Sequence, residues 1–334
     1  DVMVGADTVS VNTGFRNLQI TPERLMTING KQVSVRGVNL CHDNLYCGNA
    51  ITQSDYKSDL KRICDMGANA IRSVEGPHDQ ALYDICDREG MLVWIDSPLS
   101  QSPFLSDIAY YSSRSFENNG EQQLREIILQ NIHHPSVAMW GIFSLLRGRS
   151  PELMAYVKNL NALAKSLDSS RPTVACSDQD GDINFITDLI VWQQNVGWNK
   201  GDVADLDLWQ SALRSSWSHL RQGVCYGAGG TKGHHSEDLV SRSSSQHRIP
   251  ESWQTRFHEG YVGHIDNTLF WGVWLNTMFD FGAVRHPGGI RNSGLVCFDH
   301  NKAKDGYYLY RTLWNKKSHT LHIVGKNREV RTHN

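Results

Sequence analysis

The sequence predicts an α/β chain folded as one (β/α)₈ barrel, with a short strand and hairpin in front of it. Three observations predict this. Eight short, mostly apolar segments recur along the chain, and amphipathic helical segments alternate with them. The 334 residues are 40% hydrophobic, enough to fill one large core. Apolar strands alternating with helices imply a parallel sheet covered by helices on its outside, and eight such units in one core imply a closed barrel.

The elements follow in order. DTVSVNTGFRNLQI alternates like an edge strand, and MTINGKQV reads as a hairpin turning at Asn29-Gly30. VSVRGVN (33–39) is the first barrel strand. The next segment, 54–67, is an amphipathic helix with Ser54 as N-cap and Gly67 as its stop. NAIRS (69–73) and MLVWID (91–96) are strands two and three, separated by a helix over 79–90 that ends in Gly90. A long helix, FENNGEQQLREIILQNIHH, leads into strand four, SVAMWGIF (136–143). Pro151 opens the helix 151–167, as proline does at a first helical position. PTVACS (172–177), DLIVWQ (188–193), QGVCYGAG (222–229) and LFWGVWL (269–275) are strands five to eight. DLDLWQSALRSSWSHL, ESWQTRFHEGYVGHID and KAKDGYYLYRTLWNK are the remaining helices. The expected divisions are 1–30 for the remnant, 31–320 for the barrel and 321–334 for a tail.

The bulk numbers bound the function. Lys and Arg total 33 against 35 Asp and Glu, a net charge of −2, with no basic block to draw nucleic acid or anionic lipid. No apolar run is long enough to span a membrane, and no signal peptide is visible, so a soluble chain is expected. The seven cysteines form no C-x-x-C pair. Cys64, Cys86, Cys176 and Cys297 read as buried free thiols, whereas Cys41 and Cys225 fall at strand ends. His234-His235 follow strand seven, but no H-x-x-x-H spacing accompanies them, so no metal and no cofactor are expected. Lys232 sits in a Gly-rich loop that does not suit a desolvated Schiff-base lysine.

Active sites of barrels lie at the C-terminal ends of the strands, so the informative residues are those just after each strand. Several motifs there and elsewhere carry a resemblance: GFR (14–16), ING (28–30), RGVN (36–39), LYDICDREGMLVW (82–94), HHPSVAMWG (133–141), NALAKSLDSSRPT (161–173), NFITDLI (184–190), YGAG (226–229) and MFDFGA (278–283). In this order they resemble the catalytic barrel of glycoside hydrolase family 2, from about residue 12 to the end. The resemblance implies a bacterial cytoplasmic or periplasmic origin. It also implies β-sandwich domains before the barrel, with residues 1–20 the end of one. It leans to the β-galactosidase type, because GGIRNSGLV offers Asn292 without the lysine of the glucuronidase Asn-x-Lys motif.

The resemblance also implies a pair of catalytic glutamates, and these positions differ here. Retaining glycosidases need two carboxyl groups about 5–5.5 Å apart, one as acid and base and one as nucleophile. The family's strand four ends W-G-x-x-Asn-Glu; here it reads Trp140-Gly141-Ile142-Phe143-Ser144-Leu145. Its strand seven carries Ser-Glu-Tyr-Gly-Ala-Gly; here it reads Val224-Cys225-Tyr226-Gly227-Ala228-Gly229. Cys41-His42, Glu75-Gly76-Pro77, Asp96-Ser97, Gln193, Asn195 and Asn276-Thr277 depart around the same rim. Drift would scatter changes over the whole chain. Clustering at one mouth favours a pocket repurposed or redesigned as a unit over simple loss of function.

Candidate chemistry follows residue by residue. Cys225 takes the nucleophile's place, and His42 is a candidate base for acyl transfer; the plainer readings are a small filler and a backbone-bonded histidine. Glu75 and Asp96 are candidate general bases, against a solvated loop acid and a shortened stand-in for the family's glutamate. Cys41, Ser144, Leu145, Gln193, Asn195 and Asn276 are expected to line the mouth and orient a small polar ligand. Trp192, Trp198 and Trp271 are candidates for stacking on sugar faces. Three functions are therefore open: a non-glycosidase pocket with new chemistry, a carbohydrate-binding pseudoenzyme, and residual glycoside hydrolysis by Glu75 and Asp96.

Overall fold

A computed structural model describes residues 2–21, 25–100, 109–198, 201–229, 251–284 and 287–324. Eight parallel strands close into a barrel: β1 (Val35–Leu40), β2 (Ala70–Ser73), β3 (Leu92–Asp96), β4 (Val137–Ser144), β5 (Thr173–Ser177), β6 (Leu189–Gln193), β7 (Gln222–Tyr226) and β8 (Gly272–Leu275). β8 pairs with β1, from Gly272 opposite Val35 to Leu275 opposite Val38. β4 is the longest strand, and its register shifts against both neighbours. Such shifts re-aim a strand end, and the end of β4 is Ser144.

Seven helices surround the barrel among the described residues: α1 (Gln53–Met66), α2 (Gln80–Glu89), α3 (Arg114–Asn131), α4 (Pro151–Leu167), α5 (Asp205–Ser216), α6 (Glu251–His264) and α7 (Asp305–Trp314). Gly67 and Gly90 end α1 and α2 in the left-handed conformation, as expected. The N-cap of α1 is Thr52 rather than Ser54. Thr52 and Asp55 form a reciprocal capping box, which needs an acid three residues after the cap. Between β5 and β6 the alternation fails. A 3₁₀ turn, Asp182–Phe185, stands where a helix belongs, because Asp178, Asp180, Gly181 and Asp182 favour turns and the connection is short.

The amino-terminal segment is more broken than the expected continuous edge strand. Val2–Val4 pairs with Asp7–Val9, and an irregular stretch follows. Leu18–Ile20, Met26–Ile28 and Lys31–Val33 then form a three-stranded antiparallel sheet. Asn29 and Gly30 both have positive φ, the backbone of a type I′ hairpin turn. This sheet closes the lower, N-terminal end of the barrel: Met26 is buried, and Leu18, Ile20 and Ile28 pack on the barrel interior.

Inside the barrel, side chains alternate with period two. Along β6, Leu189 and Val191 point inward and Ile190 and Trp192 outward, into a larger core shared with the helices. Two inward indoles, Trp94 and Trp274, meet edge to face with centroids 5.2 Å apart. Glycine at position 37 makes room for one of them, since a Cβ there would lie 2.1 Å from the Trp274 ring.

Candidate active site at the barrel mouth

The floor of the mouth is built on Arg72, an inward residue of β2. Its Nε and Nη2 donate to Asp96 Oδ2 at 3.0 and 2.7 Å, and Nη2 also donates to Ser144 Oγ at 2.9 Å. The guanidinium lies 4.0 Å from the centroid of the Trp94 ring. All three polar residues are buried. Gly141 permits this convergence, because a Cβ there would lie 2.4 Å from Asp96 Oδ1. Burial opposes the Arg72 charge, but Asp96 outweighs it and holds Arg72 more firmly protonated than usual. Burial lifts the Asp96 carboxyl above its ordinary range, against the pull of Arg72. The geometry is that of a buried ion pair with a hydroxyl attached.

The ends of β4 and β7 carry no carboxylate. Ser144 is held by its N–H on the Leu99 carbonyl as well as by Arg72. Leu145 has a φ of 55°, and its N–H donates to the Cys176 carbonyl. Its side chain packs on the interior cluster that contains Cys176, Cys225 and Trp274. Cys225 is fully buried and accepts from Asn39 Nδ2 at 3.6 Å. Burial pushes its thiol well above the usual range, opposite to the shift an activated nucleophile needs. Asn39 Nδ2 also donates to Asn276 Oδ1 at 3.0 Å, linking β1 to the end of β8. The Asn276–Thr277 peptide is cis.

The rim groups are separately engaged. His42 Nε2 lies 3.1 Å from the Tyr56 hydroxyl, and its ring stacks on His78 at 4.7 Å. No hydrogen bond joins His42 to Cys225 among the described residues, so the structure gives this pair no catalytic geometry. Burial lowers the His42 pKa, opposed by Asp79 and Asp43. Cys41 is pushed up to about 12, first by burial and then by Glu75 and Asp43. Glu75 has a φ of 63°, its side chain is exposed, and its N–H approaches Asp96 Oδ2 at 3.4 Å. Desolvation around its carboxyl and the charge of Asp96 raise its pKa, while Arg72 lowers it. Gln193 and Asn195 are 3.2 Å apart, and the Asn195 amide can turn its nitrogen to the Gly227 carbonyl at 3.1 Å.

The three tryptophans do not face the mouth. Trp192 alternates outward, donates to Gln222 Oε1 at 2.8 Å and packs edge-on against Trp217. Trp271 precedes β8 and donates to the Arg221 carbonyl, at the opposite end of the barrel. Trp198 is buried in the outer core against Phe257. Strand period and strand direction decide all three. Lys232, His234 and His235 lie outside the described residues. Sequence reasoning missed Arg72 and Asn39. The signal was present: each is polar at an inward position of a buried barrel strand. Arg291 was missed too; it lies in the short pair formed by Phe281–Gly282 and Ile290–Arg291 after β8, and its charge acts on Cys41. Gly282 N–H donates to Asp43 Oδ2 at 2.7 Å, tying that pair to the loop after β1.

Asp84, Asp87 and His134 converge away from the mouth with metal-like spacing. Both His134 nitrogens are already occupied, by Asp87 at 2.7 Å and by Gln80 Oε1 at 2.9 Å. Asp87 also accepts from the Ser136 N–H. This group clasps α2 to the start of β4.

Comparison with known proteins bears on what such a barrel is. A β-glucuronidase of Bacteroides fragilis is 34% identical over 331 residues, covering 97% of this chain and 48% of that protein. The β-galactosidase BoGH2A of Bacteroides ovatus is 24% identical, covering 95% of this chain and 42% of its own length. Among solved structures, an FMN-binding β-glucuronidase from Facaelibacterium prausnitzii L2-6 superposes with a TM-score of 0.85 at 30% identity, covering 94% of this chain and 49% of that one. The chain thus spans about half the length of the curated relatives it matches. Relatives of both names occur, and they do not favour the β-galactosidase branch that the sequence suggested. The profile described as glycosyl hydrolases family 2, TIM barrel domain, matches residues 18–318, and the chain belongs to that family.

Proposed function

We propose that this is a non-hydrolysing family 2 barrel whose mouth binds a small polar ligand, a sugar by kinship, without cleaving it. One observation carries the reading. The positions that the family's pattern assigns to the two glutamates hold Leu145 and Cys225, and both side chains belong to the apolar filling of the barrel. The buried carboxyl of the floor, Asp96, is ion-paired with Arg72 at 2.7 Å, and that contact favours its ionised form over one that could protonate a leaving group. Retaining hydrolysis needs two carboxyls on either side of one bond, and the described mouth offers no such pair. A Cys225 nucleophile is disfavoured by its raised pKa and by the lack of a base in contact. Glu75, Gln193, Asn195 and Asn276 are the groups through which a ligand would be held.

A second reading rests on Glu75. Its raised pKa suits a proton donor, and it follows β2 beside Asp96. A single acid of this kind would support slow proton transfer rather than the two-carboxylate route.

Calorimetric titration with methyl β-D-glucuronide and methyl β-D-galactoside tests the proposal. Saturable binding weakened by Asn276→Ala and Gln193→Ala supports it. Release of methanol from either glycoside would refute it.

A further inference from the structure

We propose that Asn39, itself buried, is a positioning residue: it fixes the side-chain amide of Asn276 with its NH₂ group turned to the mouth, so that a ligand bound there must present an oxygen lone pair to the end of β8. The inference rests on the mouth being the binding site, and it names the chemistry of one contact in it.

The backbone at Asn276 is clamped from both sides. Its N–H donates to the Tyr226 carbonyl at the end of β7, at 2.9 Å. Gly227 lets the two strand ends touch, since a Cβ there would overlap the Asn276 carbonyl oxygen. On the other side the Met278 N–H donates to the Asn39 carbonyl at 3.0 Å. Trp274 points into the barrel, and Asn276, two residues on, falls on the same face. With the chain held, only the side-chain amide is left to turn.

One hydrogen bond decides which way it faces. Asn39 Nδ2 donates to Asn276 Oδ1 at 3.0 Å and to Cys225 Sγ at 3.6 Å. Asn39 is 2% exposed, and its Oδ1 has no partner. The reverse arrangement, with Oδ1 toward both neighbours, would strand the Asn39 NH₂ group in the same buried place. Orphaned N–H groups are rarer than under-satisfied carbonyls, so the donors run outward from Asn39 to Asn276. Asn276 is half-buried, and its Nδ2 has no hydrogen-bond partner among the described residues.

The chemistry of the ligand follows. An amide NH₂ group only donates. A hydroxyl, ether or carboxylate oxygen satisfies it, and an ammonium group does not. Because Asn39 has already ordered the amide, binding need not order it, a gain of about two- to tenfold in affinity for one side chain.

Side-chain amide NMR of the whole chain, with isotope-labelled asparagine, tests this before any ligand is added. Asn39→Leu and Asn276→Ala assign the two signals. The expected Asn276 amide is rigid, with an order parameter above about 0.6, yet it exchanges with water at least about tenfold faster than the Asn39 amide. Asn39→Leu should drop the Asn276 order parameter below about 0.6 and weaken methyl β-D-galactoside binding about two- to tenfold. Saturating methyl β-D-galactoside should slow Asn276 exchange in the wild type. An Asn276 amide that is mobile in the wild type, or that exchanges as slowly as Asn39, would overturn the proposal even if Asn39→Leu fails to fold. Bound galactoside that leaves Asn276 exchange unchanged would overturn it too. A rigid, fast-exchanging amide in a protein that binds no glycoside would uphold the positioning by Asn39 and refute the reading of the mouth as a sugar site.

Discussion

Replacing Cys225 with glutamate restores the family's residue at the end of β7, and the structure predicts that the protein will resist it. Cys225 is 0% exposed, and Asn39 is its hydrogen-bonding neighbour. The nearby cation, Arg72, already spends Nε and Nη2 on Asp96 and Ser144. A carboxylate at 225 therefore enters a site whose positive charge is neutralised. An uncompensated buried charge costs about 3–5 kcal/mol, and the longer side chain adds an overpacking cost of about 1–3 kcal/mol. The sign with pH follows. The new acid's folded pKa lies above its unfolded value of about 4.3, so the charge penalty is absent below that pH and grows as pH rises through the folded pKa. Adding Asp96→Asn frees Arg72 and should recover about 1–3 kcal/mol as a coupling energy. Urea denaturation of the wild type, both single variants and the double variant at pH 4 and pH 7 measures all of this. Additive single effects, or a Cys225→Glu protein as stable as the wild type at pH 7, would refute the claim that Asp96 is the counter-ion of Arg72.

Three other outcomes follow from the structure. Arg72→Met leaves Asp96 buried without its partner and should cost about 3–5 kcal/mol at neutral pH by the same denaturation assay. Asp168 is buried, which alone would raise its pKa, but hydrogen bonds from Ser170, Arg171 and Trp140 bring it down to about 2. Its stabilisation is present above the unfolded value of about 3.9 and lost as pH falls through the folded one, so Asp168→Asn should weaken the fold at pH 7 and match the wild type near pH 2. Burial, and then His42, lowers His78 to about 3, so its stabilising neutral form is fully present above about pH 6.5 and costs stability as pH falls toward 3. His78→Phe should flatten the acid limb of a plot of melting temperature against pH, and an unchanged limb would contradict this.

Much of the fold was legible because periodicity and punctuation are local. Gly67, Gly90, Pro151 and the Asn29-Gly30 turn each sit where their backbone preferences place them. The seven helices lie where the periodicity placed them, and none was read between β5 and β6, where the structure has only the 3₁₀ turn Asp182–Phe185. The site was legible at the level of position: strand ends pointed to Ser144, Leu145, Cys225 and Asn276. It was not legible at the level of partners. That Arg72 turns to Asp96, that His42 turns to Tyr56 and His78, and that Trp192 faces outward depend on strand alternation and on bonds between distant residues. Rim residues drawn from different strands meet only once the barrel has closed.

The most direct measurement is nitrophenol release from p-nitrophenyl β-D-glucuronide and p-nitrophenyl β-D-galactoside, followed with concentrated protein from pH 4 to pH 8. The account predicts release no faster than in protein-free buffer at every pH. Turnover that rises with protein concentration and disappears in Glu75→Gln would contradict it, and would show that the mouth still holds a working acid.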